Sequence, residues 1–272
     1  MTMNGSLRTT VPAHVWSTEE KRILVAAARF AARRWLGDEW ILSLRGDAVD
    51  LFEKPHDTQW LRDRGGRARL IACGAALAHL EVAVRVLGWS PLVDLPADVL
   101  ALDRVARIRA TARTRPDAGD FARFGAMSGR ASKPLPSSLP AWGRRVAEAC
   151  ASGGVHVGSL PPHSARALPK VGGQIGRKAA PEIEDRAGTW SAFVVGSEAE
   201  ARPQLVRAGA VSQRLRLAAA EYGLRSCTFT EPFDVPGVRG SLAGIGGAAG
   251  IPQLVVIVRN HQRTPAEKGY TS

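Results

Sequence analysis

The sequence predicts an α+β protein in which central helices are flanked by antiparallel sheets. Three observations predict it. Between residues 67 and 88, Leu70, Cys73, Leu77, Leu80, Val84 and Leu87 recur at alternating steps of three and four, the strongest helical period in the chain. Residues 40–44 and 49–52 flank Arg45-Gly46-Asp47-Ala48, the pattern of a β-hairpin closed by a glycine-containing turn. Residues 190–195 are a buried-strand candidate and 252–258 a second apolar strand, with a helical segment between them. Helices followed by short strands, twice along one chain, describe layered α+β packing.

Taken in order, a first helix is expected from Thr18 to about residue 34. Ser17 or Thr18 supplies its N-cap, Glu19 and Glu20 its first-turn charge, and Ile23, Ala27 and Phe30 an apolar stripe. The hairpin and the long helix follow. Residues 89–95 read as a strand, and 99–113 as a further strand or loop. Residues 115–139, rich in Pro, Gly, Ser and Ala, read as a linker or long excursion between a first half, 18–114, and a second half, 140–263. Residues 141–151 form a short helix with Trp142, Val146 and Ala149 on one face. Residues 163–189 are loop, and 203–222 are a helix aligned on Val211, Leu215, Ala218 and Tyr222 that stops at Gly223.

Composition narrows the function classes. With 272 residues, 45% of them hydrophobic, the chain can bury one sizeable core or two small ones that share an interface. Cys73, Cys150 and Cys227 are its only cysteines, and neither a CxxC pair nor histidines at zinc spacing occur. A disulfide framework and a structural metal are therefore not expected, and a reducing cytoplasm is. No stretch approaches the roughly 20 apolar residues of a membrane span, nor does the N-terminus carry a signal-peptide core. The net charge of +12 is mostly arginine spread through every segment, which argues against a nucleic-acid surface. Gly172-Gly173-Gln174-Ile175-Gly176-Arg177-Lys178 lacks Walker spacing and reads as a loop, and residues 244–250 read as a turn. No Ser-His-Asp order can be argued for the six histidines.

The stretch Leu70-Ile71-Ala72-Cys73-Gly74-Ala75-Ala76-Leu77-Ala78-His79-Leu80, with Val86-Leu87-Gly88-Trp89 behind it, resembles the central helix of the Acg-like, actinobacterial branch of the nitroreductase family. Arg207-Ala208-Gly209, Gln213-Arg214 and Glu221-Tyr222-Gly223-Leu224, then Pro232-Phe233-Asp234-Val235-Pro236 and Pro252-Gln253-Leu254, are similar to that family's C-terminal module. The resemblance runs from about residue 23 to residue 258. It implies a nitroreductase-like fold of two related halves forming a pseudo-dimer, with FMN held between them.

The family's word Ala-Pro-Ser-x-His-Asn-x-Gln-Pro-Trp falls on residues 31–40, where only Ala31 and Trp40 match. Its word Arg-Arg-Thr-Asn-Arg-Arg-Pro falls on Ser128-Gly129-Arg130-Ala131-Ser132-Lys133-Pro134, which keeps Arg130 and Lys133 as substitute cations. A phosphate dianion calls for multidentate cationic donors. The resemblance thus implies Arg130, Ser132 and Lys133 as phosphate or ribityl contacts, with Arg259 and Arg263 as further cations. It also implies Cys73 and Gly74 as residues passing the flavin ring. The bland alternatives are a solvated basic loop for the former and simple packing for Cys73. No catalytic side chain is named, because in such chemistry the cofactor carries the hydride and the protein positions it.

The function that the resemblance implies is an FMN-dependent oxidoreductase, moving hydride from NADH or NADPH to an electron-poor or biosynthetic small molecule. Degraded motifs leave two alternatives: a flavin-free scaffold with a new binding or catalytic role, and a flavin-storage protein. Monomer and homodimer both stay open.

Overall fold

A computed structural model describes residues 14–32, 40–54, 63, 65–96, 103–160, 190–230, 239 and 249–260. Among them lie five helices and two four-stranded antiparallel sheets, the α+β class expected. Helix α1, Thr18–Ala32, starts at a reciprocal cap: Glu20 N donates to Ser17 Oγ at 3.2 Å and Ser17 N to Glu20 Oε2 at 2.8 Å. Strands β1 (Trp40–Arg45) and β2 (Ala48–Glu53) pair with Arg45 opposite Ala48, so Gly46 (φ 57°) and Asp47 form the two-residue turn.

Helix α2, Arg67–Val86, begins on the carboxylate of Asp63, which accepts from Ala68 N at 3.0 Å and Arg69 N at 3.2 Å. Strands β3 (Trp89–Asp94) and β4 (Arg104–Arg113) complete the first sheet in the order β1-β2-β4-β3.

Residues 115–139 hold more than a connection. Helix α3, Ala118–Met127, lies within them, because Asp117 and Asp120 form a capping box and Ala126 and Met127 are buried. Composition hid it: a two-glycine helix of ten residues looks like linker until its cap is noticed. Helix α4, Leu139–Cys150, buries Leu139, Trp142, Ala147 and Cys150; Ala149, expected on the apolar face, is exposed, as are Arg144 and Arg145.

The second sheet is built from β5 (Val155–Leu160), β6 (Trp190–Ser197), β7 (Arg225–Phe229) and β8 (Ile251–Arg259) in the order β5-β6-β8-β7. That is the same permutation as in the first sheet. Strand β6 is buried throughout and β8 nearly so, which is why they read as mainly apolar strands, whereas the half-open β5 and β7 did not.

Helix α5, Arg202–Glu221, joins β6 to β7 and packs along α2 at the centre of the molecule. Cores from both sides interlock there: Leu205, Val206 and Leu217 of α5 belong to the core that includes α1 and the first sheet, while Ile71 of α2 belongs to the core of the second sheet. Among the described residues no helix is long and apolar enough to cross a membrane.

Candidate functional site

Polar side chains cross between the two sheets' territories along the α2–α5 pair. Arg67, 5% exposed at the start of α2, donates to Gln253 O in β8 at 2.6 Å and also to Thr230 O beyond β7. Arg202, at the start of α5, reaches the other way to Glu53 Oε1 of β2 at 2.9 Å. Midway, Arg214 donates to Glu81 Oε2 at 2.7 Å. Each helix start therefore grips the opposite sheet. Hydrogen bonds to charged groups are the stronger kind, so these contacts set how the two sheets are held together.

A buried chain of hydrogen bonds runs beside them. His79 Nδ1 lies 3.0 Å from Ala27 O and so carries the proton, and Gln213 Nε2 donates to His79 Nε2 at 2.7 Å. Gln213 Oε1 accepts from Arg216 Nη1 at 3.1 Å, and Arg216 Nε points to Ser226 Oγ at 3.4 Å. His79, Gln213 and Arg216 are 1%, 2% and 3% exposed. The chain starts at the backbone of α1 and ends on β7.

At that end a cleft of about 560 Å³ opens between α5 and β7. Arg216 and Ala220 of α5 and residues 225–228 of β7 line it, with Gly129, Gly223 and Leu224. Among the described strands β7 lies at the edge of its sheet, so the cleft runs along that edge. Ser226 and Thr228 alternate with Arg225 and Cys227 along it. Thr228 Oγ1 is buried without a hydrogen-bond partner. Arg216 and Arg225 are the charged residues among the described lining residues.

The residues expected from the sequence fall in three places. Arg130, Ser132 and Lys133 stand beside the cleft mouth, where Ser132 N and Lys133 N both donate to Glu221 O, at 2.8 and 2.9 Å. Lys133 Nζ pairs with the buried Glu221 carboxylate and lies 5.3 Å from the Tyr222 ring centre, so this lysine fastens the loop to the end of α5. Arg130 is exposed. Arg259 ends β8 directly opposite Arg225, placing two arginines on one face of the second sheet.

Cys73 and Gly74 lie elsewhere, inside the α2–α5 crossing. Cys73 is fully enclosed, and a Cβ on Gly74 would overlap Val206 O. Arg263, like His261, residues 33–39, 163–189, 232–236 and 244–248, lies outside the described residues.

Arg216 and Ser226 were not singled out from the sequence, and Gln213 only as part of the family resemblance. A signal existed: in the helix aligned on Val211 and Leu215, Ser212, Gln213 and Arg216 place polar groups at the spacing that shares a face. No group of three or more metal-ligating side chains occurs among the described residues.

FMN asks for a ligand-sized cavity and cationic, multidentate phosphate donors. Ligand pockets are typically about 300–1,000 Å³, and the cleft falls within that range. Arg216 and Arg225 are the cations among its described lining residues. The cleft's volume suits a ligand of that size.

Two proteins of Mycobacterium tuberculosis, provisionally named NAD(P)H nitroreductase MT3217 and NAD(P)H nitroreductase Rv3131, are each 25% identical to this chain over 266 residues, covering 78% of it and 76% of the relative. The likeness extends over most of both sequences, so the chain is a distant relative of these proteins. No known family profile matches it.

Proposed function

We propose that this chain is a nitroreductase-type oxidoreductase that uses FMN, with NADH or NADPH as reductant and an electron-poor small molecule as acceptor. One observation carries the reading: similarity over most of the chain to two proteins named NAD(P)H nitroreductase. FMN, when bound, supplies hydride acceptance and donation. The chain's own part is to bind and orient. Arg130 and Arg259, beside the cleft, are the cations we assign to the phosphate side, with Ser132 as a hydroxyl donor and Lys133 holding the loop in place. Residues 18–114 and 140–263 are two related halves of a pseudo-dimer in this reading, joined through 115–139. It is supported by the shared strand permutation and by helix starts that each grip the opposite sheet.

The visible absorption spectrum of freshly purified protein tests the proposal, followed by FMN titration and by NADH and NADPH oxidation. A flavin spectrum, or saturable quenching of added FMN, with nucleotide oxidation is the expected result. A colourless protein with no saturable quenching ends it.

A second reading, a flavin-free scaffold, is favoured by one observation: Lys133 is engaged by Glu221 and Gly74 by the helix crossing, so both serve the fold. Tight FMN binding with negligible nucleotide oxidation would instead indicate flavin storage.

A further inference from the structure

We infer that the segment of residues 14–17 is a pH-sensitive latch, which protonation of His14 closes onto the first sheet. The His14 imidazole stacks on the Trp89 indole, with ring centres 4.0 Å apart and planes at 26°, and meets Trp16 edge to face at 5.0 Å. Its Nε2 stands 3.0 Å from both carboxylate oxygens of Glu20. Glu20 Oε1 also accepts from Trp89 Nε1 at 3.4 Å, and Oε2 from Ser17 N at 2.8 Å. One carboxylate thus ties the segment, the start of α1 and β3 together. Trp16, 2% exposed, holds the same segment to the β1–β2 turn, donating from its amide to Gly46 O and from Nε1 to Asp47 O.

A carboxylate only accepts, so Nε2 carries a proton in either state of the ring and a second proton goes to Nδ1. Two contacts then strengthen. The hydrogen bond to Glu20 becomes an ion pair between side chains each 17% exposed, and the stack on Trp89 becomes a cation–π contact. Glu20 of α1 touches the imidazole directly. From β4, the Arg113 guanidinium carbon sits 3.8 Å from the centre of the Trp89 ring. Two groups so near one ring centre occupy opposite faces, which puts the indole between Arg113 and His14. From the β1–β2 turn, Asp47 contacts the segment through its backbone carbonyl. With the like charge farther off than the opposite one, attraction to Glu20 outweighs repulsion by Arg113.

The Ser17 and His14 contacts hold the Glu20 carboxyl below its ordinary 4.5 against the effect of burial, so it stays ionised between about pH 8 and about pH 5.5. Imidazole is the side chain that titrates in that range. The closed segment therefore binds a proton that the open one does not hold as well, and falling pH closes it. A short segment ahead of a helix opens locally at low free energy, so contacts of this size shift its population measurably. The inference stands apart from the flavin reading.

Amide hydrogen exchange of the full chain, read by mass spectrometry on a peptide covering residues 14–24 and corrected for the intrinsic exchange rate at each pH, tests it. Protection in the parent should rise about three- to tenfold from about pH 8 to about pH 5.5. His14→Gln, polar but unable to take a charge, should lack that rise. His14→Arg, a planar cation at every pH, should stay protected at both ends of the range. Protection that does not rise in the parent overturns the inference, as does a rise of equal size in His14→Gln. A His14→Arg protein that still loses protection toward pH 8 overturns it as well, because charge at this position would then not be what closes the segment.

Discussion

Gly74 and Gly209 face each other's helices reciprocally. A Cβ on Gly74 would overlap Val206 O and stand 2.8 Å from Ala210 N, and a Cβ on Gly209 would overlap Ile71 O and stand 2.7 Å from Ile71 C. Each glycine thus receives the carbonyl of the residue three positions before the other. The two close approaches are reciprocal at the crossing of α2 and α5. Backbones this close are possible only where neither helix carries a side chain, which explains glycine in the middle of two long helices despite its cost of about 1 kcal/mol there.

Gly74→Ala is therefore expected to force the helices apart and destabilise the protein by about 1–3 kcal/mol or more, beyond any gain in helix propensity. Gly65→Ala, where a Cβ meets nothing within 4 Å, serves as the reference and should be near neutral. Urea denaturation of both variants checks this. Equal midpoints would mean that the crossing is looser than described.

The crossing also marks where the sequence stopped being legible. Leu70, Cys73, Leu77, Leu80 and Val84 announced one face of α2, and all five are buried. The helix is in fact buried on every side from Leu70 to Val84. Its other contact surface is mostly glycine and alanine, with Ile71, His79, Glu81 and Val82 among them, so periodicity recorded only half of the packing. The site suffered similarly. Arg216 and Gln213 read as ordinary polar residues of a helix until the fold placed His79 and Ser226 against them, whereas Arg130 and Lys133 stood out by charge. Lys133 then proved to be joined to a glutamate 88 residues away, a pairing no local spacing reveals.

Lys133→Ala should lower stability by about 1–3 kcal/mol, because it strips the main partner from a Glu221 carboxylate whose side chain is 4% exposed. Arg130→Ala, at an exposed position, should change stability by less than about 0.5 kcal/mol. Thermal melts of the two variants separate the roles. If Lys133→Ala melts like the parent, the lysine is available to a ligand after all.

The cap of α1 predicts a pH effect. Burial pushes the Glu20 carboxyl up, but the Ser17 amide and hydroxyl together with His14 outweigh it and hold the group below its ordinary 4.5. A lowered carboxyl value stabilises the fold at pH values above 4.5, and that contribution is lost as pH falls through the folded-state value. Glu20→Gln should therefore be less stable than the parent by about 1 kcal/mol near neutrality, with the gap closing in acid. A constant gap across the acid range would sink the assignment.

The last prediction concerns Gln213, which donates to His79 Nε2 and accepts from Arg216 Nη1 in the interior. Gln213→Leu removes one donor and one acceptor together, at about 1–3 kcal/mol for each buried group disturbed. A loss of that size alone would not distinguish a relay from mere packing, because a leucine of different shape also perturbs the core. Gln213→Glu makes the distinction. The carboxylate keeps the acceptor facing Arg216 but offers no proton to His79 Nε2, so the imidazole must become protonated to restore that hydrogen bond. Its folded-state pKa then rises above the unfolded value of about 6.5. A group shifted upward stabilises the fold fully below the unfolded pKa, and the contribution disappears as pH rises through the folded one. Gln213→Glu should thus regain stability against the parent as pH falls from about 8 toward 5.5, while Gln213→Leu shows no such recovery. Denaturation midpoints of the three proteins across that range decide the matter: parallel pH profiles for the two variants would mean that Gln213 does not read the protonation of His79, and that the orientation of Arg216 is set by some other contact.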